Sequence, residues 1–81
     1  MSSIRDVVHA FLMKNFYVGS DGLTDAESLL DRGIVDSTGI LEVISFLEET
    51  FSIRVDDAEI LPENLDSVSA IVRFVEKKKK D

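Results

Sequence analysis

Apolar residues in this chain recur at helical spacing in three separate stretches, and no pair of stretches alternates as two strands would. Ile4, Val7, Val8, Phe11 and Leu12, with Phe16 beyond them, fall near i, i+3, i+4 and i+7 and predict a first helix from Ser3 to about Tyr17. Ile40, Val43, Ile44, Leu47 and Phe51 form the core face of a second, which opens at Asp36 or Ser37 and runs to about Thr50 or Phe51. Val68, Ile71, Val72 and Val75 form that of a last helix, with Phe74 near its edge. Ser3 is placed to cap the first helix, with Asp6 as a weaker version of a capping box. Asp66 or Ser67 is placed to cap the last. These patterns predict an all-α chain.

The connections are uneven. Val18 to Val35 is a long first loop that opens on a turn at Gly19-Ser20-Asp21-Gly22. Leu23, Leu29, Leu30, Ile34 and Val35 give it an apolar underside, so it is expected to pack across the helices, with a turn of helix around Asp25 to Leu30. Asp21-Gly22-Leu23-Thr24-Asp25 lacks the spacing and distal Glu of a calcium loop. Ser52 to Val55 reads as short and extended, and Asp56 to Leu61 as a short acidic helix closed by Pro62. Asp56, Asp57 and Glu59 read as the N-terminal complement to that helix's dipole rather than as a cation site. The 81 residues suffice for one domain, 1–81, with a thin core. The basic residues of the 77–81 tail complement the last helix's dipole and are expected to fray.

Composition removes several functions. The chain has no Cys, which excludes disulfides, zinc-thiolate sites and a Cys nucleophile. Its one His, His9, has no second His or Cys to join it and is expected at the surface. No apolar run is long enough for a membrane span, and the N-terminus lacks a signal-peptide pattern. The net charge is −7, but from Asp21 through Asp66 thirteen acids face only Arg32 and Arg54, a local balance of −11. Such a surface repels nucleic acid and steers basic protein partners, or it serves only solubility.

Catalytic groups are few. Ser37 has no evident base, and Val35-Asp36-Ser37-Thr38-Gly39 has Gly after the Ser but not before it, so it is not a nucleophile elbow. No catalytic residue and no metal ligand is assigned, and a self-contained enzyme is not expected. Ser37 reads better as an attachment point. A serine in the first turn of a helix has unsatisfied N–H groups beside it, and these with the positive dipole end favour a phosphate on its hydroxyl. Asp36 can cap the helix or bind a metal ion brought by a modifying enzyme. Gly39 costs helix stability, on the order of 1 kcal/mol in an interior position, and removes bulk where another backbone or a cofactor can approach. The competing reading is that Asp36-Ser37 is only a capping pair. Asp66-Ser67 has the same logic, so the dipeptide alone does not decide between them.

Leu29-Leu30-Asp31-Arg32-Gly33-Ile34-Val35-Asp36-Ser37 resembles the approach to the modified serine in the acyl carrier protein family, the phosphopantetheine-binding carrier domains. Leu41 to Phe51 resembles that family's recognition helix, and Ile53-Arg54-Val55-Asp56 and Asn64-Leu65-Asp66-Ser67-Val68 resemble its later segments in order and spacing. The resemblance implies a four-helix bundle with three longer helices, one short helix and a long first loop. It implies a 4′-phosphopantetheine arm on Ser37, installed by a phosphopantetheinyl transferase from coenzyme A with magnesium that Asp36 helps to position. Acyl or aminoacyl cargo would ride on the arm as a thioester, in fatty acid, lipid or secondary-metabolite synthesis. Leu41, Glu42, Glu48 and Glu49 would be read by ligases and transferases with basic docking surfaces, and the carrier would be a cytoplasmic monomer. The positions after the serine depart from fatty-acid carriers, which have Leu and then an acid where this chain has Thr38 and Gly39. A Ser-x-Gly arrangement resembles D-alanyl carriers and amino-acid carriers served by stand-alone ligases. An unmodified acidic interaction module remains the alternative of another class.

Overall fold

Ser3 is extended at φ −73, ψ 166 and accepts a hydrogen bond from the Asp6 N–H at 3.1 Å, so α1 (Ile4–Asn15) starts where its cap predicts. A computed structural model describes residues 3–19 and 22–80 of the chain, and only the backbone at Lys80. Ser20 and Asp21 of the expected turn lie outside the described residues. The helices that follow are α2 (Gly39–Phe51), α3 (Pro62–Leu65) and α4 (Val68–Lys80), with a 3₁₀ turn at Asp57–Glu59. Among the described residues there is no strand, and the chain forms a four-helix bundle. Val8 and Leu12 of α1, Val43 and Leu47 of α2, Leu65 of α3 and Val68, Ile71 and Val75 of α4 meet in one buried cluster. α4 touches all the others, α1 and α3 more extensively than α2.

The long loop is part of this core. Val18, Leu23, Leu29, Ile34 and Val35 are buried within it. The expected helical turn from Asp25 is absent, and the hydrogen bonds show why. A helix would join the Asp25 carbonyl to the Leu29 N–H. Instead the carbonyl accepts from Ser69 N–H at 2.9 Å and the N–H donates to the Asp66 carbonyl at 2.7 Å. Both groups are committed to the entry of α4, where an orphan N–H needs a partner. Arg5 adds a two-oxygen grip on Asp25, 2.8 Å at its closest. Arg32 donates to the carbonyls of Gly22 and Val18 and pairs with Glu27. Gly33 turns the chain at φ 70, a conformation glycine adopts without strain, so that Ile34 N–H can return to the Leu29 carbonyl at 3.0 Å.

Three further sequence expectations change. Pro62 does not close a helix but opens α3, because proline's missing N–H is one that a first helical position leaves unpaired anyway. α4 runs to Lys80, and its Lys78 pairs with Glu59 at 2.8 Å across the turn. Phe74 is buried and Val72 only half-buried, because α3 and the 3₁₀ turn cover the Ala70–Phe74 side of α4. Ser52 is left-handed at φ 55, ψ 45, so the link after α2 begins with a reversal and not an extended residue.

Candidate functional site: the serine turn at the head of α2

Asp36, Ser37 and Thr38 form the turn that precedes α2. The Asp36 carbonyl accepts from Ile40 N–H at 2.9 Å, and its carboxylate Oδ1 accepts from Gly39 N–H at 2.7 Å. Asp36 therefore fills the role of N-cap, with its side chain on the donor three residues ahead. Regular helix begins at Gly39, two residues after Ser37, while Thr38 already has helical dihedrals. Ser37 is exposed. Neither its hydroxyl nor the N–H groups of Ser37 and Thr38 take a partner among the described residues. An oxygen that is exposed, unpaired and flanked by unpaired donors can be esterified by phosphate without breaking a bond of the fold.

Two different surfaces flank this turn. On one side an apolar cavity of about 220 Å³ runs between α2 and α3, with Leu30, Ile40, Ile60, Leu61 and Leu65 in its wall and Ser37 on its lining. Asp66 also reaches it, but its carboxylate is occupied by the Ser28 hydroxyl and by Leu30 N–H at 2.8 Å. Leu30, expected on the loop's buried underside, is instead exposed at 44%, because Asp66 holds its backbone at the cavity rim. On the other side Leu41, Glu42, Ser45 and Glu49 surround a shallow depression floored by Phe11 and Phe46. Leu41 is 59% exposed there, with Glu42 and Glu49 beside it.

Glu48 does not join that surface. It is half-buried, and its carboxylate accepts from Val55 N–H at 2.9 Å, bracing the chain after α2. Gly39 also differs from expectation. It is buried, and a Cβ there would stand 3.0 Å from Phe16 Cε1 and 3.3 Å from both Asp36 Oδ1 and Val35 Cγ1. The missing bulk makes room for the molecule's own interior and does not open a path for a partner. His9, expected at the surface, is half-buried with Nε2 3.2 Å from the Leu23 carbonyl, so it joins α1 to the loop.

Elsewhere four acids, Asp25, Glu27, Asp56 and Glu59, serve the fold. Asp56 and Glu59 form a capping box, with Asp56 N–H donating to Glu59 Oε1 at 3.0 Å. The Lys78 ammonium beside it holds the Glu59 carboxyl below its ordinary range, as the Arg32 guanidinium does for Glu27 and the Arg5 guanidinium for Asp25. Among the described residues no three His, Asp or Glu side chains gather as metal ligands would. No helix among them is long and apolar enough to cross a membrane.

A helical bundle that presents an exposed, unpaired serine at a helix head, between an apolar cavity and an acidic surface, has the form of a carrier domain. No family model matches the chain. Individual proteins do. Over 77 residues, 94% of this chain and 92% of the relative, it is 36% identical to the acyl carrier protein of Akkermansia muciniphila. Over 50 residues, 62% of this chain and 63% of the relative, it is 42% identical to the D-alanyl carrier protein of Streptococcus pyogenes serotype M1. The chain belongs to the acyl carrier protein family and is a carrier protein. Carrier proteins in general are non-catalytic, bear phosphopantetheine and act with ligases and transferases.

Proposed function

We propose that Ser37 bears a 4′-phosphopantetheine arm and that the 81 residues act as one carrier domain, presenting cargo to partner enzymes in the cytoplasm. The arm supplies a terminal thiol that holds cargo as a thioester. The observation that carries this reading is the division of labour in the serine turn. Asp36 caps the helix through one oxygen, so the Ser37 hydroxyl is left exposed and unpaired. Asp36 Oδ2 has no partner among the described residues and is the atom offered to the magnesium of a phosphopantetheinyl transferase. The donors at Ser37 and Thr38 favour the phosphate once it is attached.

The residues read by partners are Leu41, Glu42 and Glu49, an apolar contact between two free carboxylates. A basic surface with an apolar edge fits it, and the charge gives fast encounter and fast release. For the cargo, the aliphatic wall of the cavity beside Ser37 favours an acyl group over one bearing an ammonium, since the one carboxylate that reaches it, Asp66, already accepts from the Ser28 hydroxyl and Leu30 N–H. The likeness to D-alanyl carriers supports a second reading, an amino-acid cargo delivered by a stand-alone ligase.

Incubation with coenzyme A, magnesium and a phosphopantetheinyl transferase is expected to add roughly 340 Da to the intact protein, the mass of the arm, and nothing to Ser37→Ala. An unmodified wild type whose partner binding survives Ser37→Ala would instead identify an interaction module. Charging the loaded protein with a panel of acyl and aminoacyl ligases separates the two cargo readings.

A further inference from the structure

We infer that Phe16 is a positioning residue for Ser37, acting from α1 through the space that Gly39 leaves empty. The inference rests on the attachment reading for its functional consequence. Its structural basis is independent of that reading.

Phe16 follows the last turn of α1. Its N–H donates to the Leu12 carbonyl at 3.0 Å, and its backbone is already extended at φ −130, ψ 152. Its position is therefore set by the end of α1 and not by the loop beyond it. The ring edge reaches the head of α2, where Cε1 occupies the volume next to the missing Cβ of Gly39. Gly39 is the residue whose N–H holds the Asp36 carboxylate. The order of contact is thus Phe16 ring, Gly39, Asp36 cap, then the Ser37 that the cap leaves free.

The ring does not act alone. It meets Phe11 edge-on at 6.0 Å, Phe11 stacks on Phe46 at 3.9 Å with 13° between planes, and Phe46 meets Phe51 edge-on at 6.3 Å. Four rings link α1 to α2 along the whole length of α2, from Phe16 at its serine end to Phe51 at its far end. A helix shorter by one turn of packing at its head would let the cap residue and the serine drift together. A close-packed interior passes such displacements to its neighbours, and a misplaced acceptor hydroxyl slows a transfer reaction more than it weakens encounter.

The ends of the ladder supply the test. Phe16→Leu and Phe51→Leu each remove one terminal ring, but only Phe16 stands beside Gly39, whose N–H the Asp36 cap accepts. Phe16→Leu is expected to lower kcat of arm transfer about tenfold with KM little changed, and to speed hydrogen exchange at the residue 39 amide. Phe51→Leu is expected to lower thermal stability comparably and to alter neither reading. Gly39→Ala, which forces the new methyl against Phe16, is expected to slow transfer, and adding Phe16→Leu to restore part of the rate, a non-additivity that marks direct contact. Equal slowing by Phe51→Leu, or a double variant no faster than Gly39→Ala, overturns the inference. If the wild type accepts no arm, the attachment reading fails, and amide exchange alone decides this one: equal exchange in Phe16→Leu and Phe51→Leu overturns it, and faster exchange only in Phe16→Leu supports it.

Discussion

The chain uses the dipeptide Asp-Ser twice at the entry to a helix, and the two copies divide the work in opposite ways. At residues 36 and 37 the acid caps, accepting from Gly39 N–H at 2.7 Å, and the serine is left with nothing to hold. At residues 66 and 67 the serine caps, accepting from Ala70 N–H at 3.0 Å. There the acid turns back and anchors the long loop through the Ser28 hydroxyl and Leu30 N–H. In each copy the capping oxygen serves the donor three residues ahead. A shift of the cap by one residue decides which side chain is released. A serine at a helix head thus becomes available for chemistry when its neighbour performs the structural task.

The two serines should part most clearly in their chemistry. Ser37→Ala is expected to abolish arm attachment while leaving the melting temperature near that of the wild type, since its hydroxyl makes no bond. Ser67→Ala is expected to load fully but to lose about 1 kcal/mol, the worth of a cap. Intact mass and thermal melts on the two variants read both outcomes. Loading lost in Ser67→Ala, or retained in Ser37→Ala, would reverse the assignment.

The acids should show the opposite order. Asp66→Ala removes two charge-assisted hydrogen bonds that join loop to helix, with an expected loss of about 2 kcal/mol, more than Ser67→Ala beside it. A smaller loss than Ser67→Ala would mean that the buried Leu29 and Val35 hold the loop unaided. Asp36→Ala is expected to lose about 1 kcal/mol as a cap, whereas Asp36→Asn keeps the cap. If the carboxylate also serves the transferase's metal, Asp36→Asn slows loading without lowering stability. Loading of Asp36→Asn at the wild-type rate would leave Asp36 with a capping role alone.

Much of this was legible in the order of residues. The spacing of Val8, Leu12, Val43, Leu47, Ile71 and Val75 places three helices and their buried faces, because helical period and burial act on the same side chains. Ser37 stands out because its surroundings, not its dipeptide, are distinctive. Pro62 and Ser52 change for local reasons, whereas three other changes depend on partners that are not neighbours in sequence. Leu30 is exposed because Asp66, thirty-six residues on, holds its N–H. Glu48 is on the expected helix, but Val55 N–H draws it away from the acidic surface. Gly39 suggested an opening for cargo or partner, yet the volume it vacates belongs to Phe16. Gly39 therefore bears on packing at the helix head.

The smallest expected effect separates the two regions by pH. The loop side, which leads to the second Asp-Ser pair, carries Arg5–Asp25 and Arg32–Glu27, and the 3₁₀ turn carries Lys78–Glu59. In each pair the cation's hydrogen bond depresses the carboxyl in the folded protein. The unfolded chain then binds more protons in the interval between the two values, so these pairs stabilise the fold above the ordinary carboxylate range and lose that contribution as pH falls through the lower folded values. The ordinary values are 3.8 for Asp25 and 4.5 for Glu27 and Glu59. Melting temperature should therefore be flat near neutrality and fall in acid below them. All three pairs are partly exposed, so salt should shrink the change. Arg5→Gln should flatten the acid limb by removing the share of Asp25, whose carbonyl receives Ser69 N–H at the entry to α4. On lowering the pH, protection from hydrogen exchange, taken relative to the intrinsic rate at each pH, should then fall at Leu29 and Ser69 before it falls at Gly39, whose turn takes no part in these three pairs. Simultaneous loosening at both sites would show that the two Asp-Ser turns open as one unit.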